Sequence, residues 1–289
     1  MADTGFSYQS IVTSDGVTLK YIAAGPTSGP VLLFLPGWSQ TAIQWKKQIS
    51  HFRTKYRVLV LDHRGQGESD KPGRGLRISR IAADLQDFIV ALKLEDLTLI
   101  GHSMGSSIIW AYWDTYADSR SRISKLVFVD QAPVMVADPA WSESYAKSVS
   151  AIFKPGSAYE VAAAFTQGEP ESGAFARQFV STMFTPALPS ADLDWVMEQN
   201  HKMSSKDAAE LLLNHAYQDW RDVIPTITVP TLVVGAESSV FTKEGSEWIA
   251  SQIPGSTLRI FTKEEKGSHF LFWENPEEFN SLLDKFLEK

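Results

Sequence analysis

The stretch LTLIGHSMGSSIIWAYWDTYADSR, Leu97 to Arg120, decides the fold. Leu97–Ile100 is an apolar run of strand length, and Ser106–Arg120 continues as a helix. Between them stands Gly101-His102-Ser103-Met104-Gly105, a G-x-S-x-G turn placed where a strand passes into a helix. Such a turn is so tight that its flanking residues must be small, hence the glycines. It holds the serine in a strained conformation with the hydroxyl exposed above the sheet edge. The N-terminus of the following helix offers N–H groups and a partial positive charge to a developing anion.

Working outward, the same alternation recurs. VTLKYIAAG (Val17–Gly25), VLLFLPG (Val31–Gly37), RVLVLDHRGQGES (Arg57–Ser69) and ISKLVFVDQAP (Ile123–Pro133) are short Val/Leu-rich runs that end in Gly or Pro or, in the third, enter a Gly-rich turn. Strands buried on both faces read this way. Ile81, Leu85, Phe88 and Leu92 form one apolar stripe of a helix between the third and fourth of these runs. After Pro133 the rhythm changes: residues 134–222, a block of 89, show helical patterns and no strand. Within it, PSADLDWVMEQN (Pro189–Asn200) and SSKDAAELLLNHAYQDW (Ser204–Trp220) are each expected to open on a serine N-cap. Strand and helix alternate again in VPTLVVGA, EGSEWIASQI, STLRIFTKEE and the final NPEEFNSLLDKFLEK. Parallel βαβ units follow, hence a three-layer α/β fold with a mostly parallel sheet. Residues 1–133 and 223–289 are read as its core, with 134–222 an inserted helical cap.

The bulk numbers agree with one sizeable domain carrying an insertion: 289 residues, 44% hydrophobic. Net charge is −7 and the Lys and Arg residues form no run, which argues against nucleic acid and against a polybasic membrane anchor. With no cysteine, disulfides, thiolate metal sites and a cysteine nucleophile are excluded. MADTGFSYQS shows no secretory pattern, and no apolar run reaches membrane-spanning length. Clustered metal-ligand spacing, a P-loop and a GxGxxG fingerprint are absent. The expectation is a soluble, cytoplasmic, metal-free and cofactor-free protein acting on a small molecule; oligomeric state is not readable.

With its strand–turn–helix context, GHSMG makes the chain resemble the α/β-hydrolase-fold superfamily over nearly its whole length. DHRGQGESDKP, Asp62–Pro72, resembles that family's D-x-R-G-x-G-x-S turn, which is structural there. The resemblance implies a serine nucleophile, Ser103, followed in chain order by an acid and a histidine. Of six histidines, His269 in KGSHFLFWENPEEF lies after the last strand and is the expected base. The oxyanion hole would take its N–H groups from Met104 and from the loop FLPGWSQT, where Trp38 is the expected donor.

The acid is less direct. In the family it usually follows the strand PTLVVGA, but Ser238 and Ser239 stand there and Glu237 is one residue early. The family's other solution places it after the preceding strand, where Asp130 lies, 27 residues beyond Ser103. With an aspartate after this strand and none after the next, Asp130 is the expected acid and Glu237 the alternative, since the base must be oriented by a third group.

The implied reaction is hydrolysis of an apolar or aromatic ester or lactone. A serine nucleophile argues against dehalogenase or epoxide hydrolase chemistry, whose relatives in this fold use an aspartate there. Trp38, His102, Trp141, Phe153 and Trp195 are candidate pocket residues, the last three from an aromatic-rich cap. A second resemblance stays open. LPGW at Leu35–Trp38, His102-Ser103, Asp130 and His269 are similar to the cofactor-free 3-hydroxy-4-oxoquinoline 2,4-dioxygenases. There a His–Asp pair deprotonates a substrate that then reacts with O₂. Gly101 and Met104 depart from that family's turn, which has serine and histidine in their places.

Overall fold

The computed structural model describes residues 5–289; residues 1–4, the start of the stretch read for a secretory pattern, lie outside the described residues. The strands are β1 (Tyr8–Val12), β2 (Thr18–Ala24), β3 (Val31–Leu35), β4 (Arg57–Leu61), β5 (Leu97–His102), β6 (Ile123–Val129), β7 (Thr231–Ala236) and β8 (Thr257–Phe261). They form one sheet in the order β1-β2-β4-β3-β5-β6-β7-β8. β1 and β2 run antiparallel to their neighbours, and the pairs from β4 to β8 are parallel. Every residue of β3, β5 and β7 is buried, as the unbroken apolar runs require.

The helices are α1 (Lys46–Phe52), α2 (Ile78–Ala91), α3 (Met104–Thr115), α4 (Glu143–Ser148), α5 (Ser157–Ala164), α6 (Glu171–Ser181), α7 (Ser190–Asn200), α8 (Ser205–Ala216), α9 (Lys243–Gln252), α10 (Leu271–Glu274) and α11 (Pro276–Leu287). α2 packs on α3, α1 on α11, and α9 on β7 and β8. The α2 stripe behaves as its spacing demands: Ile81, Leu85 and Phe88 are fully buried, while Leu92 caps the helix and is half-exposed. Trp45 stacks on Phe272 at 3.9 Å between ring centroids, so the segment before α1 and α10 share one core.

Helices α4–α8 occupy the chain between β6 and β7. Two isolated bridges, Val134 with Asp219 and Val136 with Phe153, are the strand-like pairings there among the described residues. Ser204 caps α8 by accepting from Asp207 N at 3.1 Å, as expected. Ser190 does not cap α7: Pro189 holds the cap position and Ser190 is already helical. The sequence reading also passed over β1. Its residues YQSIV are mostly exposed and pair only with β2, so no apolar run marks the strand.

Candidate active site

The turn after β5 has the geometry its glycines imply. Ser103 sits at φ 52°, ψ −125°, a region that costs a non-glycine residue about 1–3 kcal/mol. Hydrogen bonds hold it there: Ser103 N donates to Val129 O at 2.9 Å, Ser106 N to Ser103 O at 2.8 Å, and Ser106 Oγ to Gly101 O at 2.8 Å. A Cβ on Gly101 would meet the Gly105–Ser106 backbone, and one on Gly105 the backbone of Leu35 and Pro36. The glycines therefore let α3 start hard against the ends of β3 and β5.

Asp130 follows β6 directly, with φ 49° and its N–H donated to Val234 O at 2.8 Å. His269, in the loop after β8, places Nδ1 2.6 Å from Asp130 Oδ2, with both side chains almost wholly buried. A carboxylate there fixes the tautomer: Nδ1 donates and Nε2 keeps its lone pair. Burial holds the His269 imidazole below its ordinary range, so it is neutral at neutral pH. Burial pushes the Asp130 carboxyl up, opposed by the Ser239 hydroxyl, which donates to the same Oδ2. Glu237 is exposed and accepts instead from Lys263 N at 3.2 Å.

The loop after β3 faces Ser103, and a Cβ on Gly37 would lie 3.0 Å from Ser103 Cβ. Among the described residues, neither Trp38 N nor Met104 N has a hydrogen-bond acceptor. The loop is clamped from both sides. Gln40 Oε1 accepts from Gly37 N at 2.8 Å and lies 3.0 Å from His102 Nδ1. Gln66, in the turn after β4, accepts from Ser39 N at 2.8 Å and donates to Gly37 O and Gln40 O, both at 3.1 Å. The His63 ring meets Pro36 O at 3.0 Å.

Ser103 and His269 open into one cavity of about 170 Å³. Most of its wall is apolar: Trp38, Met135, Ile152, Phe153, Phe179, Met183, Leu212, Val240 and Phe241. Gln40 and His215 complete it. No hydrogen bond joins Ser103 to His269 among the described residues; nucleophile–base contacts often form only in the Michaelis or transition-state complex. No group of three or more His, Cys, Asp or Glu among the described residues is placed to hold a metal ion.

The comparisons with known proteins bear on this geometry. The family described as alpha/beta hydrolase fold matches residues 30–276. The chain belongs to this family. As an enzyme of the alpha/beta hydrolase superfamily it is similar to 3-oxoadipate enol-lactonase 2 of Acinetobacter baylyi, 24% identical over 98% of each chain. It is 24% identical to mouse epoxide hydrolase 4 over 96% of this chain and 78% of that one. Among solved structures, an esterase from Exiguobacterium antarcticum superposes with a TM-score of 0.86 at 25% identity, covering 98% of this chain and all of the other. No helix among the described residues is long and apolar enough to cross a membrane.

Within this alpha/beta hydrolase the structure brings Ser103, His269, Trp38 and Phe153 to the cavity and sets Asp130 behind His269. Three expected pocket residues lie elsewhere. His102 is fully buried, its ring held between Gln40 Oε1 and His269 O (2.8 Å), because the turn that lifts Ser103 out turns its neighbour in. Trp141 packs edge-on against Tyr145 and under Arg221. Trp195 stacks on Trp273 at 5.0 Å beneath Lys46. Sequence reading missed His215, which joins the wall from α8 with Nε2 3.1 Å from Ser107 Oγ. Its helical position was visible, but not that α8 turns this face toward Ser103. Gln66 was passed over as part of a structural turn.

Proposed function

We propose that the protein hydrolyses small carboxylic esters or lactones with an apolar or single-ring acyl part, residues 134–222 serving as the cap over the site. One observation carries the reading: a strained Ser103 and a His269 backed by Asp130 at 2.6 Å open into the same apolar cavity. In this reading Ser103 Oγ attacks the carbonyl carbon while its proton passes to His269 Nε2. Asp130 stabilises the imidazolium that forms. The free N–H groups of Trp38 and Met104 receive the oxyanion. His269 then returns the proton to the departing alkoxide, and water, deprotonated by His269, releases the acid and restores Ser103. The relatives named as a lactonase and an esterase support the substrate class. Ser103 in the nucleophile position argues against the epoxide chemistry named for the mouse relative.

The cavity's 170 Å³ is close to the roughly 150 Å³ that holds one benzene ring, so short or single-ring acyl groups fit. Across p-nitrophenyl esters, kcat/KM should peak at short or benzoyl-sized acyl groups and collapse for long chains, and Ser103→Ala should abolish turnover. Wild-type protein inert toward esters and lactones, yet consuming O₂ with a 3-hydroxy-4-oxoquinoline and keeping that activity as Ser103→Ala, would instead establish the dioxygenase reading.

A further inference from the structure

The loop after β7, where the family's acid usually sits, touches the acid that sits elsewhere. Ser239 Oγ donates to Asp130 Oδ2, the oxygen that His269 Nδ1 also reaches at 2.6 Å. Ser239 Oγ in turn accepts from Phe241 N at 3.1 Å, which fixes the hydroxyl's direction. A hydroxyl has one proton to give, and here it is given to the carboxylate.

We infer that Ser239 is a positioning residue for the acid–base pair: its hydroxyl holds the Asp130 carboxylate on His269, at a point reachable from the ends of both β6 and β7. The inference rests on the serine-hydrolase reading above and sharpens it. Asp130 needs such a partner. It is buried, and a carboxylate taken out of water without donors loses its charged form. His269 supplies one N–H, directed to Oδ2, and Ser239 supplies the second hydrogen bond to that oxygen. Ser239 does not border the cavity, whereas its neighbours Val240 and Phe241 do. The two roles open to this serine therefore leave different traces. A residue acting through Asp130 changes kcat; one that only shapes the loop changes KM, through Val240 and Phe241.

The test is a set of purified variants assayed on one p-nitrophenyl ester, with the low-field proton resonance of the His269 Nδ1–H as a readout that needs no turnover. Ser239→Ala should lower kcat about ten- to a hundredfold, the range for losing a hydrogen bond to a charged group, with KM within about twofold. Its resonance should move or broaden. Ser239→Thr keeps the hydroxyl and should restore both. Asp130→Gly tolerates the φ of 49° and empties the carboxylate's place, so kcat should fall by about 10⁴ and the resonance should vanish. Adding Ser239→Asp to it should recover kcat at least tenfold and return the resonance. Ser239→Ala with wild-type kcat and resonance overturns the inference. So does a change confined to KM, or a double variant no better than Asp130→Gly while folded by thermal unfolding. Persistence of turnover in Ser103→Ala would instead remove the hydrolase reading beneath it.

Discussion

Asp130 and Glu237 were equal in charge on paper, and their surroundings separate them. Asp130 is buried with two donors on one oxygen, while Glu237 is exposed and bonded to a backbone amide. Asp130→Asn should therefore lower kcat by about 10⁴, the loss seen when a serine–histidine pair loses its acid, and Glu237→Gln should stay within about twofold. Steady-state kinetics on a single ester checks both, and the reverse order would return the acid to Glu237. The positions of Ser103 and His269 were legible because a tight turn and the end of a parallel strand each demand particular residues at particular places. His102, Trp141 and Trp195 were not, because an aromatic in sequence carries no direction. Its partner decides whether it faces substrate or core, and Trp141 and Trp195 found Arg221 and Trp273 instead.

The elements divide the work, and the Gly-rich turn after β4 takes more of it than its structural reading suggested. Gln66 makes three hydrogen bonds to the loop that carries Trp38 N–H. Gln66→Leu keeps much of the volume and removes all three. The Trp38 amide should then lose its aim, and kcat should fall about ten- to a hundredfold, somewhat less than the 10²–10³ for deleting an oxyanion donor outright. KM should change little, since Gln66 does not border the cavity. Unchanged kcat in a folded Gln66→Leu protein would show that the loop needs no clamp. Core strands and helices were read correctly because burial on both faces or on one stripe leaves a pattern. β1 left none, as an edge strand with a mostly exposed sequence. Which helix face of the cap reaches Ser103 is set by packing between elements, so His215 could not be placed from its spacing.

At the scale of the molecule, the buried histidines tie stability to pH. His63 is held down to about 4 and His215 to about 3, both by burial. Above pH 6.5 these groups are neutral in folded and unfolded chains alike. Below it the unfolded chain takes up protons that the folded chain refuses, so their contribution is lost as pH falls toward those values, by up to about 1.4 kcal/mol per pH unit per group. Asp62, pushed up to about 6 by burial, works the other way between pH 6 and 4 and offsets part of the loss. His215→Gln isolates one histidine. From urea unfolding at pH 6.5 and 4.5, it should lose about 2 kcal/mol less than wild type over that interval. Parallel pH curves for the two proteins would show that His215 is not held neutral.

An activated Ser103 is reported most directly by intact mass after treatment with a fluorophosphonate. Wild-type protein should gain one adduct, mapped to Ser103. His269→Ala and Asp130→Asn should react far more slowly, and Ser103→Ala not at all. A wild-type protein that stays unlabelled, or an adduct on another residue, would contradict it.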